Sequence, residues 1–167
     1  ADGFITLESG VGIFMLTGDC LPVTYFDERN GILGLAHLGW RGVDQELAGL
    51  MVEKLIEIGS DPGMLQISIG PGVRKETYWK YDKGVPGFKK SVDLRKWEKF
   101  MEDKPNGQLA LDLVGFVKYQ VTGLGVAEEN IQVSPIDTVA NSNYFSQFRS
   151  DKLGQSQGRF ATVVMLK

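Results

Sequence analysis

Two apolar runs, Pro22–Phe26 ("PVTYF") and Ile32–His37 ("ILGLAH"), are separated by Asp27–Gly31 ("DERNG"). This arrangement constrains the fold more than any other feature of the chain. Runs rich in β-branched and aromatic residues favour strands, and an asparagine-glycine pair accepts the positive backbone angles of a tight turn. Residues 22–37 are therefore predicted to form a β-hairpin. Its two ends carry the only cysteine of the chain, Cys20, and its only histidine, His37.

The remaining sequence alternates between strand and helix patterns. Val11–Leu16, Leu65–Gly70, Asn130–Ser134 and Arg159–Leu166 are short apolar runs that predict strands. From Asp44 to Ile58, Leu47, Leu50, Met51, Leu55 and Ile58 fall on one helical face, with Asp44 as N-cap and Gly59 as the stop. A second amphipathic helix is predicted over Leu109–Gly125, and the glycine- and lysine-rich stretch Gly72–Asp93 reads as loop. No repeat or low-complexity linker interrupts the 167 residues. The expectation is a single α/β (α+β) domain over residues 1–167, built as a mixed β-sheet with flanking helices.

Charge narrows the partners. A net charge of −3 and a pI near 5.2 provide neither a basic footprint for nucleic acid nor a polybasic membrane anchor. Apolar runs fall well short of the roughly 20 residues that a membrane span requires. A single cysteine excludes an internal disulfide and favours a reducing compartment, so a cytoplasmic protein acting on small molecules is expected, with its oligomeric state left open. The chain starts at Ala1 without methionine and reads as though it begins inside a fold, so a preceding N-terminal segment is expected.

A thiolate and an imidazole at the two ends of a hairpin have two common uses, metal ligation and nucleophilic catalysis. The plain alternative is a buried small hydrophobe beside a hydrogen-bonded core histidine. The segment His37–Gly42 ("HLGWRG") places glycines on both sides of Trp40-Arg41, which lets backbone approach a ligand and makes Arg41 a candidate anion holder. Otherwise the Arg41 stem simply covers Trp40.

"ADGFIT", "TGDCLPV", "AHLGWRG", "ISIGPGVRKETYWKY" and "NYFSQFRSDKLGQSQGRFATVVML" run through the chain in an order that resembles the laccase-domain family, also called the YfiH type or multicopper polyphenol oxidoreductase family. The resemblance implies a YfiH-like mixed α/β sandwich, distantly similar to the deamidase domain of cytotoxic necrotising factor. It also implies a zinc site and activity on purine nucleosides and phosphate, through phosphorolysis or adenosine deamination. The older laccase label implies copper, which ranks last because one cysteine and one histidine cannot furnish several copper sites.

By the same resemblance Cys20 and His37 are metal ligands, with Leu38 where alanine is usual. The family's third ligand, an earlier histidine, has no counterpart in this sequence. Other departures are Gly72 and Asp137, which stand where the family often has cysteine. "FSQFRSD" retains a guanidinium at Arg149 within a changed aromatic motif. Tyr78, Phe145 and Arg149 are candidates for substrate contact, with plain packing as the alternative. Asp19 is the candidate proton shuttle, otherwise a turn or cap. The familiar deaminase signature, His-x-Glu with Pro-Cys-x-x-Cys, is absent. Two other readings remain: a metal-free Cys-His hydrolase or deamidase, and a binding domain that has lost turnover.

Overall fold

The hairpin forms as β3 (Leu21–Asp27) and β4 (Ile32–Leu38), antiparallel, with Pro22 opposite His37 and Asp27 opposite Ile32. Its turn is set by Asp27, whose carboxylate accepts from the Asn30 backbone N–H (3.0 Å) and side-chain amide (2.8 Å), while Gly31 adopts φ 62°. The protein is described by a computed structural model over residues 2–81 and 88–167.

The hairpin is the centre of a five-stranded sheet. β1 (Gly3–Thr6) pairs antiparallel with β4, β5 (Gln66–Ile69) pairs antiparallel with β3, and β9 (Ile131–Val133) lies parallel to β5. Both β3 and β4 are buried along most of their length, as central strands covered on both faces should be. A two-stranded ribbon of β2 (Gly12–Thr17) and β10 (Phe160–Met165) packs near β3 and β4. A small antiparallel sheet is formed by β6 (Trp79–Tyr81), β7 (Met101–Lys104) and β8 (Gln108–Leu111), with β8 in the middle. The helices are α1 (Trp40–Asp44), α2 (Leu47–Glu57), α3 (Phe88–Ser91), α4 (Leu94–Trp97), α5 (Leu113–Thr122) and α6 (Gln147–Leu153). None in the described residues is long and apolar enough to cross a membrane.

One hydrophobic cluster joins these layers, with Leu21, Val23 and Tyr25 of β3 against Val52 and Leu55 of α2 and Phe116 and Val121 of α5. Trp97 and Phe116 meet edge to face at 4.9 Å, and Phe100 stacks on Phe116 at 4.5 Å. The mixed α/β expectation holds.

Several element boundaries differ from the sequence expectation. The helix expected over Asp44–Ile58 forms as α2, starting only at Leu47, and a separate short helix, α1, precedes it. Asp44 ends α1 and accepts from Trp97 Nε1 (2.9 Å), and Glu46, at φ 59°, precedes α2 without a side-chain cap. The buried face of α2 is Ala48, Met51, Val52 and Leu55, leaving Leu50 and Ile58 exposed. Leu109–Leu111 belongs to β8 rather than to a helix, because the Asp112 carboxylate caps α5 by accepting from Gly115 N (2.8 Å). The Gly72–Asp93 stretch contains β6 and α3 as well as loop, and its residues 82–87 lie outside the described residues. β1, β7 and α6 were not anticipated.

Candidate functional site

Cys20 immediately precedes β3, and Gly39 immediately follows β4, so the hairpin register of Leu21 opposite Leu38 brings them face to face. A Cβ on Gly39 would lie 2.8 Å from the Cys20 Sγ, so a side chain there would displace the thiol from its present position. His37 reaches the same end of the hairpin. Its backbone N–H donates to the Asp2 carbonyl (2.7 Å), and its Nδ1 lies 3.4 Å from the Asp2 carboxylate. Arg41, in the first turn of α1, holds its guanidinium carbon 4.3 Å over the Trp40 ring.

Asp19 is gripped from three sides. Its carbonyl accepts from Val73 N (2.9 Å), and its carboxylate accepts from the Thr138 hydroxyl (2.8 Å) and from Phe148 N (2.6 Å). Its φ of 154° is a backbone state that side-chain-bearing residues rarely adopt, and these bonds hold it there. Asp19 thus clamps the loop before Cys20 to the 138 and 148 segments.

Tyr78 is buried and meets Phe148 edge to face at 5.6 Å. Burial pushes its hydroxyl far up from the ordinary tyrosine range, the nearby Cys20 and Asp19 add to this, and Arg41 opposes it. Burial thus favours the neutral phenol of Tyr78.

Cys20, His37, Arg41, Asp19 and Tyr78 all line one cavity of about 560 Å³, together with Phe148 and Arg159. That volume is in the range of small-molecule sites. A larger cavity of about 770 Å³ opens between α2, α4 and α5, and none of the predicted site residues lines it.

Two predicted residues are elsewhere. Phe145 is exposed and packs on Gly158, where an added Cβ would meet its ring at 2.2 Å. Arg149 directs its guanidinium at the carbonyls of Thr138 (2.6 Å), Val139 (3.1 Å), Asn141 (3.2 Å) and Tyr144 (2.5 Å), bracing a loop instead of facing the cavity. Ser146 caps α6 by accepting from Arg149 N (3.0 Å), and the helix that follows presents Phe148 to Tyr78. The three-residue spacing of Phe145 and Phe148 was the signal available in the sequence. Arg159 was legible only through its resemblance to the family's closing Gly-Arg pair at Gly158-Arg159, with no role attached.

Among the described residues no three His, Cys, Asp or Glu side chains gather closely enough to hold a metal ion. One thiol and one imidazole fall short of the three protein donors of a catalytic zinc site, and further short of a copper cluster. The described donors therefore do not by themselves fit a resident metal.

The hairpin-centred mixed α/β fold has solved counterparts. Bacillus licheniformis hypothetical protein YfiH superimposes with a TM-score of 0.86 at 26% identity, covering 99% of this chain and 61% of that one. YlmD from Geobacillus stearothermophilus gives 0.85 at 27% identity, with the same coverage of 99% and 61%. The chain belongs to the family described as multi-copper polyphenol oxidoreductase laccase, which it matches over residues 1–167. Its relatives include Adenosine deaminase RL5 from an unknown prokaryotic organism, 26% identical over 99% of this chain and 62% of that protein. The Geobacillus stearothermophilus protein named Purine nucleoside phosphorylase YlmD is 31% identical over 90% of this chain and 55% of its own length. The chain thus spans about three fifths of the length of the relatives it matches.

Proposed function

We propose that this chain carries the substrate cavity of a purine nucleoside enzyme whose principal reaction is phosphorolysis of adenosine- or inosine-type nucleosides. The observation that carries this reading is the convergence of Cys20, His37 and Arg41 on one cavity with aromatic walls at Tyr78 and Phe148. Relatives named purine nucleoside phosphorylase and adenosine deaminase support the nucleoside class.

In phosphorolysis a phosphate oxygen attacks the ribosyl carbon, the carbon–nitrogen bond to the base breaks, and its electron pair leaves with the purine, which takes up a proton. Arg41 supplies a planar cation for the phosphate oxygens. His37, steadied by Asp2, is placed as the proton donor to the leaving base. Tyr78 and Phe148 offer ring edges to the purine, and the neutral Tyr78 hydroxyl is a hydrogen-bond donor at the same wall. Asp19 acts as a positioning residue, since both its carboxylate oxygens already accept hydrogen bonds.

Cys20 and His37 supply two of the donors that a zinc ion takes, and zinc uptake is expected only where a third donor comes from outside the described residues. Copper has the weaker case, for the same shortage. A reduced Cys20 thiol suits a cytoplasmic setting. Adenosine deamination is the second reading, favoured by the relative of that name.

The test is incubation of the purified chain with inosine or adenosine, with and without phosphate, following free base, ribose 1-phosphate and ammonia. Phosphate-dependent base release that falls at least about tenfold in His37→Ala is expected. Ammonia without base release moves the assignment to deamination. Absence of both turnover and nucleoside binding by equilibrium dialysis overturns it.

A further inference from the structure

The cavity contains a second guanidinium that the reading above does not use. The β2–β10 register sets Phe160 opposite Thr17, which brings Arg159 alongside Gly18. A Cβ on Gly18 would lie 2.9 Å from Arg159 Cδ and 3.3 Å from its Nε, so the arginine stem lies flat across the glycine. The guanidinium is then fixed at both ends: Nη2 donates to the Gln147 side-chain carbonyl (2.7 Å) and Nη1 to the Gly158 carbonyl (2.7 Å). Gln147 is itself tied down, its backbone N–H donating to Gly18 O (2.8 Å) and its amide to Asp151 (2.9 Å).

Among the described residues neither Arg159 nor Arg41 forms an ion pair with a carboxylate. Asp2, Asp19 and Asp151 also line the cavity, but the Asp2 carboxylate lies 3.4 Å from His37 Nδ1, that of Asp19 accepts from Thr138 and Phe148, and that of Asp151 accepts from Gln147 and Gln157. Behind the Gly18 wall, Thr17 is 1% exposed and its hydroxyl has no hydrogen-bond partner, although a buried hydroxyl without one is costly. Arg159 is exposed, so its fixed guanidinium is open to a ligand entering from solvent, and together with Arg41 it gives this cavity two planar donor groups that no carboxylate of the described residues pairs with.

We propose that Arg159 is a second anion-binding residue of this cavity, holding a tetrahedral oxyanion jointly with Arg41 against the Thr17–Gly18 wall. The oxyanion is inorganic phosphate or the phosphate group of a nucleotide. This rests on the nucleoside reading only for what else occupies the cavity. Planar forks with several fixed donors suit phosphate better than a point charge does.

The test measures binding of inorganic phosphate, adenosine 5′-monophosphate and inosine separately by calorimetry, for the unaltered chain and for Arg159→Gln, Arg159→Lys and Gly18→Ala. Arg159→Gln is expected to weaken phosphate binding about ten- to hundredfold, leaving inosine affinity within about twofold. Arg159→Lys should recover part of the loss, and Gly18→Ala, which displaces the stem, should resemble Arg159→Gln. Stronger Arg159 dependence for the monophosphate than for phosphate would identify a nucleotide as the source of the group. Unchanged phosphate affinity in Arg159→Gln overturns the proposal, as does an equal loss for phosphate and inosine, which indicates general disturbance of the cavity. Inosine binding without phosphate or monophosphate binding removes the clamp and leaves the nucleoside reading standing. Arg159-dependent phosphate binding without inosine binding does the reverse.

Discussion

The thiol of Cys20 is placed by the absence of a side chain at Gly39. Because an added methyl would lie 2.8 Å from Sγ, Gly39→Ala must move the sulfur or the backbone that carries it. The expected outcome is a stability loss of about 1–3 kcal/mol, typical of overpacking. A changed rate of thiol modification by a disulfide reagent should accompany it, while circular dichroism remains that of the folded chain. An unchanged modification rate would show that Gly39 does not set the thiol position. The pairing of Cys20 and His37 could be read from the sequence because both flank one hairpin, where strand register does the work. Arg159 and Phe148 could not, because they reach the cavity from segments more than a hundred residues away, through the contacts of Gly18 and Asp19. Phe145 and Arg149 are near misses of the same origin: the sequence identifies a motif, and the helix cap at Ser146 decides which of its side chains faces inward.

At the level of elements, the hairpin turn has a definite pH response. Burial would push the Asp27 carboxyl up, but the Ser60 side chain, the Asn30 side chain and the backbone N–H groups of Asn30 and Arg29 prevail and hold it below the ordinary carboxylate range. A carboxyl with a lowered folded value contributes stability above its unfolded value, and that contribution disappears as pH falls through the folded value. Asn30→Ala is therefore expected to destabilise the protein by about 1 kcal/mol at pH 7, as for one or two lost hydrogen bonds. The difference from the unaltered chain should narrow steadily below about pH 4, the ordinary carboxylate value. Urea unfolding at pH 7 and at the lowest pH where the chain still folds measures this, and a gap that widens on acidification would contradict it. The turn was visible as asparagine-glycine chemistry. The start of α5 was not, since Leu109–Leu111 and Leu113–Thr122 form one continuous apolar pattern, and only the Asp112 carboxylate on Gly115 N separates strand from helix.

For the whole molecule, the β2–β10 ribbon has an unusual surface. One of its faces packs toward β3 and β4, while the other presents Phe14, Leu16, Val163 and Met165, each more than half exposed. Phe14 pairs directly with Val163, so these side chains adjoin as one patch. Strands apolar on both faces are the pattern of a sheet covered on both sides. The alternation of partly buried and exposed residues along β10 appears only once the register with β2 is known. An adjoining apolar surface of this kind binds hydrophobic dyes and promotes self-association. Phe14→Ser combined with Val163→Thr is expected to lower anilinonaphthalene sulfonate fluorescence at least about twofold and to reduce concentration-dependent association in sedimentation velocity. The cavity lies at the Thr17 end of the same ribbon, so inosine and phosphate affinities serve as the control that the site has survived. Dye binding unaffected by the two substitutions would mean that the exposed apolar surface of this molecule lies elsewhere, the Leu50–Tyr119 region between α2 and α5 being the next to test.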